Sequence, residues 1–233
     1  MASPGMPQID LGGNWTPLVR NVLVTLFVIY VVQAVAGEPF LALFAWQRFG
    51  PEFRPWQVAT AFLLETGPIS AVFTWLTLYF FLPLLQGTVG LRKLGQATVF
   101  AWFFAVVCTF AGLALGLPDT EFYGSGPILL AYSALFGFLV PELQFLLFFV
   151  IPVKAKWVGW GGGLLSFLYV LTSPSNVTAL AFFAWVGAWI WAGFHNGAFR
   201  RMRLQAQRKR VQKRVSRLEV IEGGQAQAED WVN

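Results

Sequence analysis

The run Val58–Leu91 (VATAFLLETGPISAVFTWLTLYFFLPLLQGTVGL) constrains the chain more than any other stretch. A bilayer core takes a helix of about 20 residues, so this run is too long for one crossing. It is broken near its start by Glu65-Thr66-Gly67-Pro68. Proline is accepted in the first turn of a helix, where its missing N–H has no partner to lose, and Thr66 or Gly67 can cap. The expectation is a short, partly buried segment over residues 58–64, then a membrane span from Pro68 to Gln86 rising about 28 Å. That leaves the carboxylate of Glu65 at the mouth of a helix, in apolar surroundings.

The composition agrees with a membrane setting. Charged residues make up 12% of the 233 and hydrophobic ones 57%, whereas a soluble domain carries about 25% charged residues. The net charge of +5 does not point to nucleic acid. Nine of the sixteen lysines and arginines follow Phe199, and there is no basic, aromatic-interleaved fold to grip bases. The single cysteine, Cys108, lies inside an apolar run and is read as a packing residue. No charged segment followed by a small-residue cleavage site opens the chain, so no cleaved signal peptide is expected. No metal or cofactor is expected either.

Six apolar spans are read: Val19–Ala36, Pro68–Gln86, Gln96–Leu117, Pro127–Val140, Trp157–Leu171 and Val177–Phe194. The fourth stops before Pro141-Glu142, because a charge at the bilayer centre is costly; residues 143–152 then run along the surface. The connection after the first span is too apolar for a water-facing loop, so it is placed in the interface with Trp46 and Trp56 in an aromatic belt. With both ends cytoplasmic, Arg20, Arg92, Lys93, Lys154, Lys156 and the nine basic residues of the tail fall inside, and only Arg48 and Arg54 outside. That asymmetry obeys the positive-inside rule and suits an inner or plasma membrane. The organisation is a cytoplasmic lead-in (1–17), a six-helix membrane domain (18–196) and a basic, then acidic and polar tail (197–233). In the tail, Leu204, Val211, Val215 and Leu218 form an apolar stripe among basic residues, a pattern that suits anionic lipid.

Several strings resemble the rhomboid intramembrane proteases. Pro55-Trp56-Gln57 with Phe62-Leu63-Leu64 is similar to that family's "PWQ…FLH", and Leu82-Pro83-Leu84-Leu85 with Gly90 to its "GPLLE…G". Pro141 and Ile151-Pro152-Val153-Lys154-Ala155-Lys156-Trp157 resemble "FP…FPVKAKW". The resemblance runs from about residue 18 to 200 and implies an all-α, six-transmembrane-helix rhomboid-like bundle. The family's chemistry is a serine–histidine dyad, with polar residues on the second span stabilising the oxyanion. A hydroxyl needs an imidazole to take its proton, and the developing charge needs donors.

Here the resemblance also marks what is missing. The serine motif falls on Gly124-Ser125-Gly126-Pro127, with Gly126 at the nucleophile's position and Ser125 one residue before it. Glu65, Ser70 and Thr74 stand where the second span carries its polar triplet, and Phe182 stands at the catalytic histidine. The one histidine, His195, comes 13 residues later, about 20 Å along a helix toward the cytoplasmic end. The lysines fall on that cytoplasmic side as well. The resemblance therefore implies a pseudoprotease. Ala184, Ala188 and Ala192 match the sixth span's small-residue motif and imply close packing on the fourth span.

Three readings stay open for Glu65: an ionised residue at a helix N-terminus, a polar contact for a client in a water-filled cavity, or a general acid/base or metal role, the last without a second carboxylate, Cys or His at ligand spacing. Ser70 and Thr74 are read as interhelical hydrogen-bond partners or cavity contacts, along with Ser125. Asn176-Val177-Thr178 matches a glycosylation sequon, and Glu142 can pair with Lys154 and Lys156. The expected function is a proteolytically inactive membrane protein that binds transmembrane segments of client proteins, at the face between the second and fifth spans, and affects their stability or trafficking. The alternative is an active intramembrane serine protease. A small transporter is a weaker third, since it predicts several intramembrane charges and an internal repeat.

Overall fold

A computed structural model describes residues 16–147 and 151–195. The expected lead-in over 1–15 and the amphipathic tail, with Leu204, Val211, Val215 and Leu218, lie outside the described residues. The chain divides into a unit Met1–Ala192 and a second, Gly193–Asn233, of which only residues 193–195 are described.

Local sequence explains where the long helices begin and end. Helix α1 (Pro17–Ala36) opens with Pro17 behind Thr16, whose hydroxyl accepts from the Val19 amide at 3.4 Å. It stops at Gly37, where φ is +62°. A short α2 (Glu38–Phe44) and α3 (Gln57–Thr60) follow, then a 3₁₀ turn (Ala61–Leu63). Helix α4 (Pro68–Val89) starts at the expected proline and runs straight into α5 (Leu91–Ala114) through Gly90. Gly90 ends one helix and opens the other at φ +82°, a conformation that a side chain would strain. Both helices thus extend further toward Gly90 than the apolar spans did. The helix continues where the chain leaves hydrocarbon, which hydropathy alone does not register.

Helix α6 (Gly126–Leu139) is followed by an antiparallel pair, β1 (Gln144–Leu147) with β2 (Ile151–Lys154), in register Gln144↔Lys154 to Leu147↔Ile151. Residues 144–147 and 151–152 therefore pair as strands, rather than running flat along a surface, and residues 148–150 of the expected segment lie outside the described residues. Helices α7 (Ala155–Thr172) and α8 (Asn176–His195) complete the chain.

Among the described residues, four helices are long and apolar enough to cross a membrane: α1, α4, α5 and α8. This is what an integral membrane protein requires, and it is fewer than the six spans expected. Helix α6 has 14 residues, about 21 Å against a hydrocarbon core of about 30 Å. Helix α7 has the length, but Lys156 and its glycines dilute it.

Helix α6 is nonetheless the interior of the fold. It packs against α4, α5 and α7, and Ala131, Ala134, Leu135 and Phe136 are buried. Its closest neighbour is α7, because two glycines face each other. A Cβ on Gly137 would stand 2.8 Å from the Gly159 Cα, and one on Gly159 would stand 2.9 Å from the Gly137 Cα. Trp185 of α8 covers this crossing, donating its indole N–H to the Gly159 carbonyl at 2.8 Å.

The first loop departs from the expected belt. Trp46 is 1% exposed, not interfacial. Its backbone exchanges two hydrogen bonds with Phe122, at 2.8 and 2.9 Å, and its ring packs on Phe49, Phe53 and Phe110. The α5–α6 connection supplies an edge on which the loop folds back, and that edge is remote in sequence. Trp56 does stay exposed, donating to the Leu43 carbonyl at 2.9 Å. Gln57 is fully buried and clips the loop together: its Oε1 accepts from the Arg54 amide at 3.0 Å, and its Nε2 donates to the Ala42 carbonyl at 3.0 Å.

Next to these strands, Glu142 pairs with Lys154 (2.6 Å) and Lys156 (3.0 Å) as expected. Hydrogen bonds from Lys154 and Lys156, then their charges, hold its carboxyl below the usual carboxylate range. A lowered folded value means the pairing contributes fully above the ordinary carboxylate range and is lost as pH falls through the lowered one. Acid and high salt are therefore expected to lower the protection factor for amide exchange, taken relative to the intrinsic rate at each pH, at Ala155, whose N–H donates to the Leu143 carbonyl beside the strand pair. In Glu142→Gln that acid response should vanish. At the glycine crossing, Gly137→Ala or Gly159→Ala should cost about 1–3 kcal/mol by overpacking backbone against backbone. Gly161→Ala, which meets open space, should leave the thermal midpoint in detergent unchanged.

Candidate functional site

The four polar residues singled out beside the second and fourth spans form two separate contacts. Glu65 precedes α4 and is 2% exposed. Its backbone is held by Gln33 of α1, which donates from Nε2 to the Glu65 carbonyl at 2.6 Å and accepts the Glu65 amide on Oε1 at 3.1 Å. Its carboxylate Oε2 accepts from the Ser70 hydroxyl at 2.7 Å. The helix N-terminus itself is capped by Gly67 with no side-chain bond. Glu65 therefore engages the side chain of Ser70, the third residue of α4. Gln33 was not among the candidate residues; a lone glutamine late in an apolar span is the signal that marks it.

The second contact crosses between helices. Thr74 of α4 and Ser125, the residue preceding α6, share a hydrogen bond of 2.6 Å and are 1% and 6% exposed. They are 51 residues apart in sequence. Ser133, two turns further along α6, donates to the Leu130 carbonyl at 2.8 Å.

Thr74 and Ser125 line a cavity of about 290 Å³ enclosed by α1, α4, α5, α6 and the 3₁₀ turn, whereas Glu65 and Ser70 do not. Its walls are leucine, valine, isoleucine and phenylalanine. The only polar groups on them are the hydroxyls of Thr74, Ser125, Thr98 and Tyr132. Thr98 donates to the Leu94 carbonyl at 3.0 Å and stands 3.1 Å from the Tyr132 hydroxyl. The lining carries no charge, so an occupant has nothing ionic to meet inside. The hydroxyls bond in pairs across helix boundaries, which suits them to joining α4 to α6 and α5 to α6.

The other candidate residues fall elsewhere. Gly126 is the first residue of α6. The ring of Phe182, at the position given to histidine, lies 5.5 Å from Phe167 of α7 and 5.6 Å from Phe183. His195 closes α8. Ala184, Ala188 and Ala192 are all buried. In α8, a Cβ built on Gly187 would come within 3.0 Å of the Ala101 Cα of α5; with α6, α8 shares the ring pair Trp189–Phe138 at 6.3 Å. Asn176, read as a sequon, is 2% exposed and spends its amide on the α5–α6 connection. Its Oδ1 accepts from the Thr120 amide and hydroxyl, and its Nδ2 donates to Asp119 Oδ1 and the Thr120 carbonyl, at 2.7–3.0 Å. An amide so enclosed is no glycan acceptor, and the α5–α6 connection is pinned to the start of α8. Among the described residues, no three of His, Cys, Asp or Glu stand close enough to hold a metal ion.

Compared with known proteins, the chain matches no family model and no curated relative.

The Thr74–Ser125 bond has a measurable consequence. A double-mutant cycle with Thr74→Val and Ser125→Ala, followed by reversible unfolding in detergent, should return a coupling of about 0.5–1.5 kcal/mol. Thr74→Val paired with Ser133→Ala should return none.

Proposed function

We propose that the chain is a proteolytically inactive, rhomboid-like membrane scaffold that binds transmembrane segments of client proteins and affects their stability or trafficking. The observation that carries this reading is the state of the two positions the resemblance assigns to catalysis. The serine nearest the nucleophile's place is bonded to Thr74, and an aromatic cluster holds Phe182 where an imidazole would be needed. A hydroxyl without a base is a poor nucleophile. In this reading α6 and α7 join the four long helices as spans, giving six with both ends cytoplasmic. A helix enclosed by other helices has no lipid-facing backbone, so its shortness is tolerated.

The client face is assigned to α4 and α7. Ile69, Val72 and Phe73 of α4 and Leu164 and Leu165 of α7 are exposed. On α7, Gly161 opens a notch with no atom within 4 Å of a built Cβ. Transmembrane helices associate by van der Waals packing at such small residues rather than by a hydrophobic drive. The basic tail would hold the anionic inner leaflet.

Two measurements test the reading. A fluorophosphonate probe applied to the full chain in native membranes should leave Ser125 unlabelled; labelling there would establish the protease instead. A photocrosslinker at Phe73 or Leu165 should form adducts within the membrane spans of other proteins. Adducts to lipid alone, from both positions, would end the scaffold proposal.

A further inference from the structure

The cavity beneath Thr74 and Ser125 has a composition and a setting that the client reading does not use. Its rim is formed by Leu91, Gly95 and Val99 of α5, which are exposed. Val99 falls within the apolar span Gln96–Leu117 and meets hydrocarbon when α5, which is long and apolar enough to cross a membrane, is inserted, while Leu91 and Gly95 lie just outside that span, at headgroup level. The opening thus runs from the headgroup region into the hydrocarbon. Inside, Leu78, Leu82, Leu94, Ile128 and Leu129 form the walls. Along α4 the lining extends from Thr74 to Leu82, and along α1 from Leu18 to Leu26, each about 12 Å at 1.5 Å per residue. A volume of about 290 Å³ spread over about 12 Å leaves a mean cross-section of about 24 Å², which suits one extended hydrocarbon chain rather than a helix about 10 Å across.

One end of this slot is basic. Leu18 and Leu91 line it there, and Arg20 in the first turn of α1 and Arg92-Lys93 in the first turn of α5 stand beside that end without lining the slot itself. The two helix ends are brought together by Thr16, whose hydroxyl donates to Gln86 Oε1 of α4 at 3.0 Å, and by the one-residue turn at Gly90. All three cations are exposed. The other end is closed by the Thr74–Ser125 hydroxyl pair.

We propose that this slot binds one anionic phospholipid, with an acyl chain lying between α1, α4, α5 and α6 and its phosphate at Arg20, Arg92 and Lys93. The uncharged, apolar lining takes the chain, and the cations at its open end take the head. An acyl chain there packs against leucine, valine and isoleucine side chains from four helices. The inference does not rest on the client-binding reading.

The test uses the full chain in phosphatidylcholine vesicles containing a minor share of phosphatidylglycerol with a diazirine at the end of an acyl chain. After irradiation, peptide mass spectrometry should place adducts on the inward residues Leu78, Ile128 and Leu129, besides those on outward Val72 and Phe73. Gly95→Trp, at a glycine whose built Cβ meets open space, should block the rim and abolish the inward adducts while the outward ones persist. Val99→Trp provides a second block if the first variant fails to insert. Replacing Arg92 and Lys93 together by Gln should lower inward labelling from phosphatidylglycerol by about fivefold or more and leave labelling from an equivalent phosphatidylcholine probe unchanged. Adducts on outward residues only would overturn the proposal. So would inward adducts indifferent to both rim variants, or inward labelling that does not distinguish the two lipids.

Discussion

The fold depends on the direct approach of two backbones. Gly137 and Gly159 let α6 and α7 come together with no side chain between them, and only that allows a 14-residue helix to serve as the interior of a membrane bundle. Dispersion between closely packed backbones supplies the attraction that hydrophobicity cannot supply in lipid. Once α6 is enclosed, Ser125 at its start and Tyr132 along its length are turned toward α4 and α5. The hydroxyl pairs and the cavity follow from that placement.

A second constraint concerns the loops. Three side-chain amides hold connections against helix ends: Gln33 grips the backbone of Glu65, Gln57 gathers the first loop, and Asn176 ties the α5–α6 connection to α8. An amide carries both donors and an acceptor, so one residue can satisfy several backbone groups that water cannot reach. Asn176 does this for Asp119 and Thr120 with a single side chain. These residues add no charge, which suits sites at the edge of hydrocarbon, where an unpaired ion is expensive.

The candidate site shows the same economy of charge. The one carboxylate near it, Glu65, is buried with a serine hydroxyl at its Oε2 and lies off the cavity. The cavity keeps only hydroxyls, bonded in pairs. Such a space can hold an apolar guest and order two helices around it. Among the described residues that line it none is a histidine, lysine or carboxylate, and this supports the proposed function as one of binding.

Some of this was legible from the residues alone. Pro68 opens α4 as expected because proline's missing N–H acts on its own stretch of backbone, whereas the helix ends at Gly37 and Gly90, set by glycine's positive φ, were not read from the sequence. Long apolar runs identified the four membrane-length helices, since hydropathy is a sum over neighbours in sequence. Pro141-Glu142 likewise marked the end of α6. The separation of Thr74–Ser125 from Glu65–Ser70 was not legible, nor was the burial of Trp46 against Phe122. Each depends on a partner many residues away, and one helical face offers several equally suitable partners until the neighbouring helices are in place. Hydropathy and local caps determined the helices. Only tertiary packing decided which polar groups meet, because a hydrogen bond in a low-dielectric interior requires a second group within about 3 Å, and no property of a single segment supplies it.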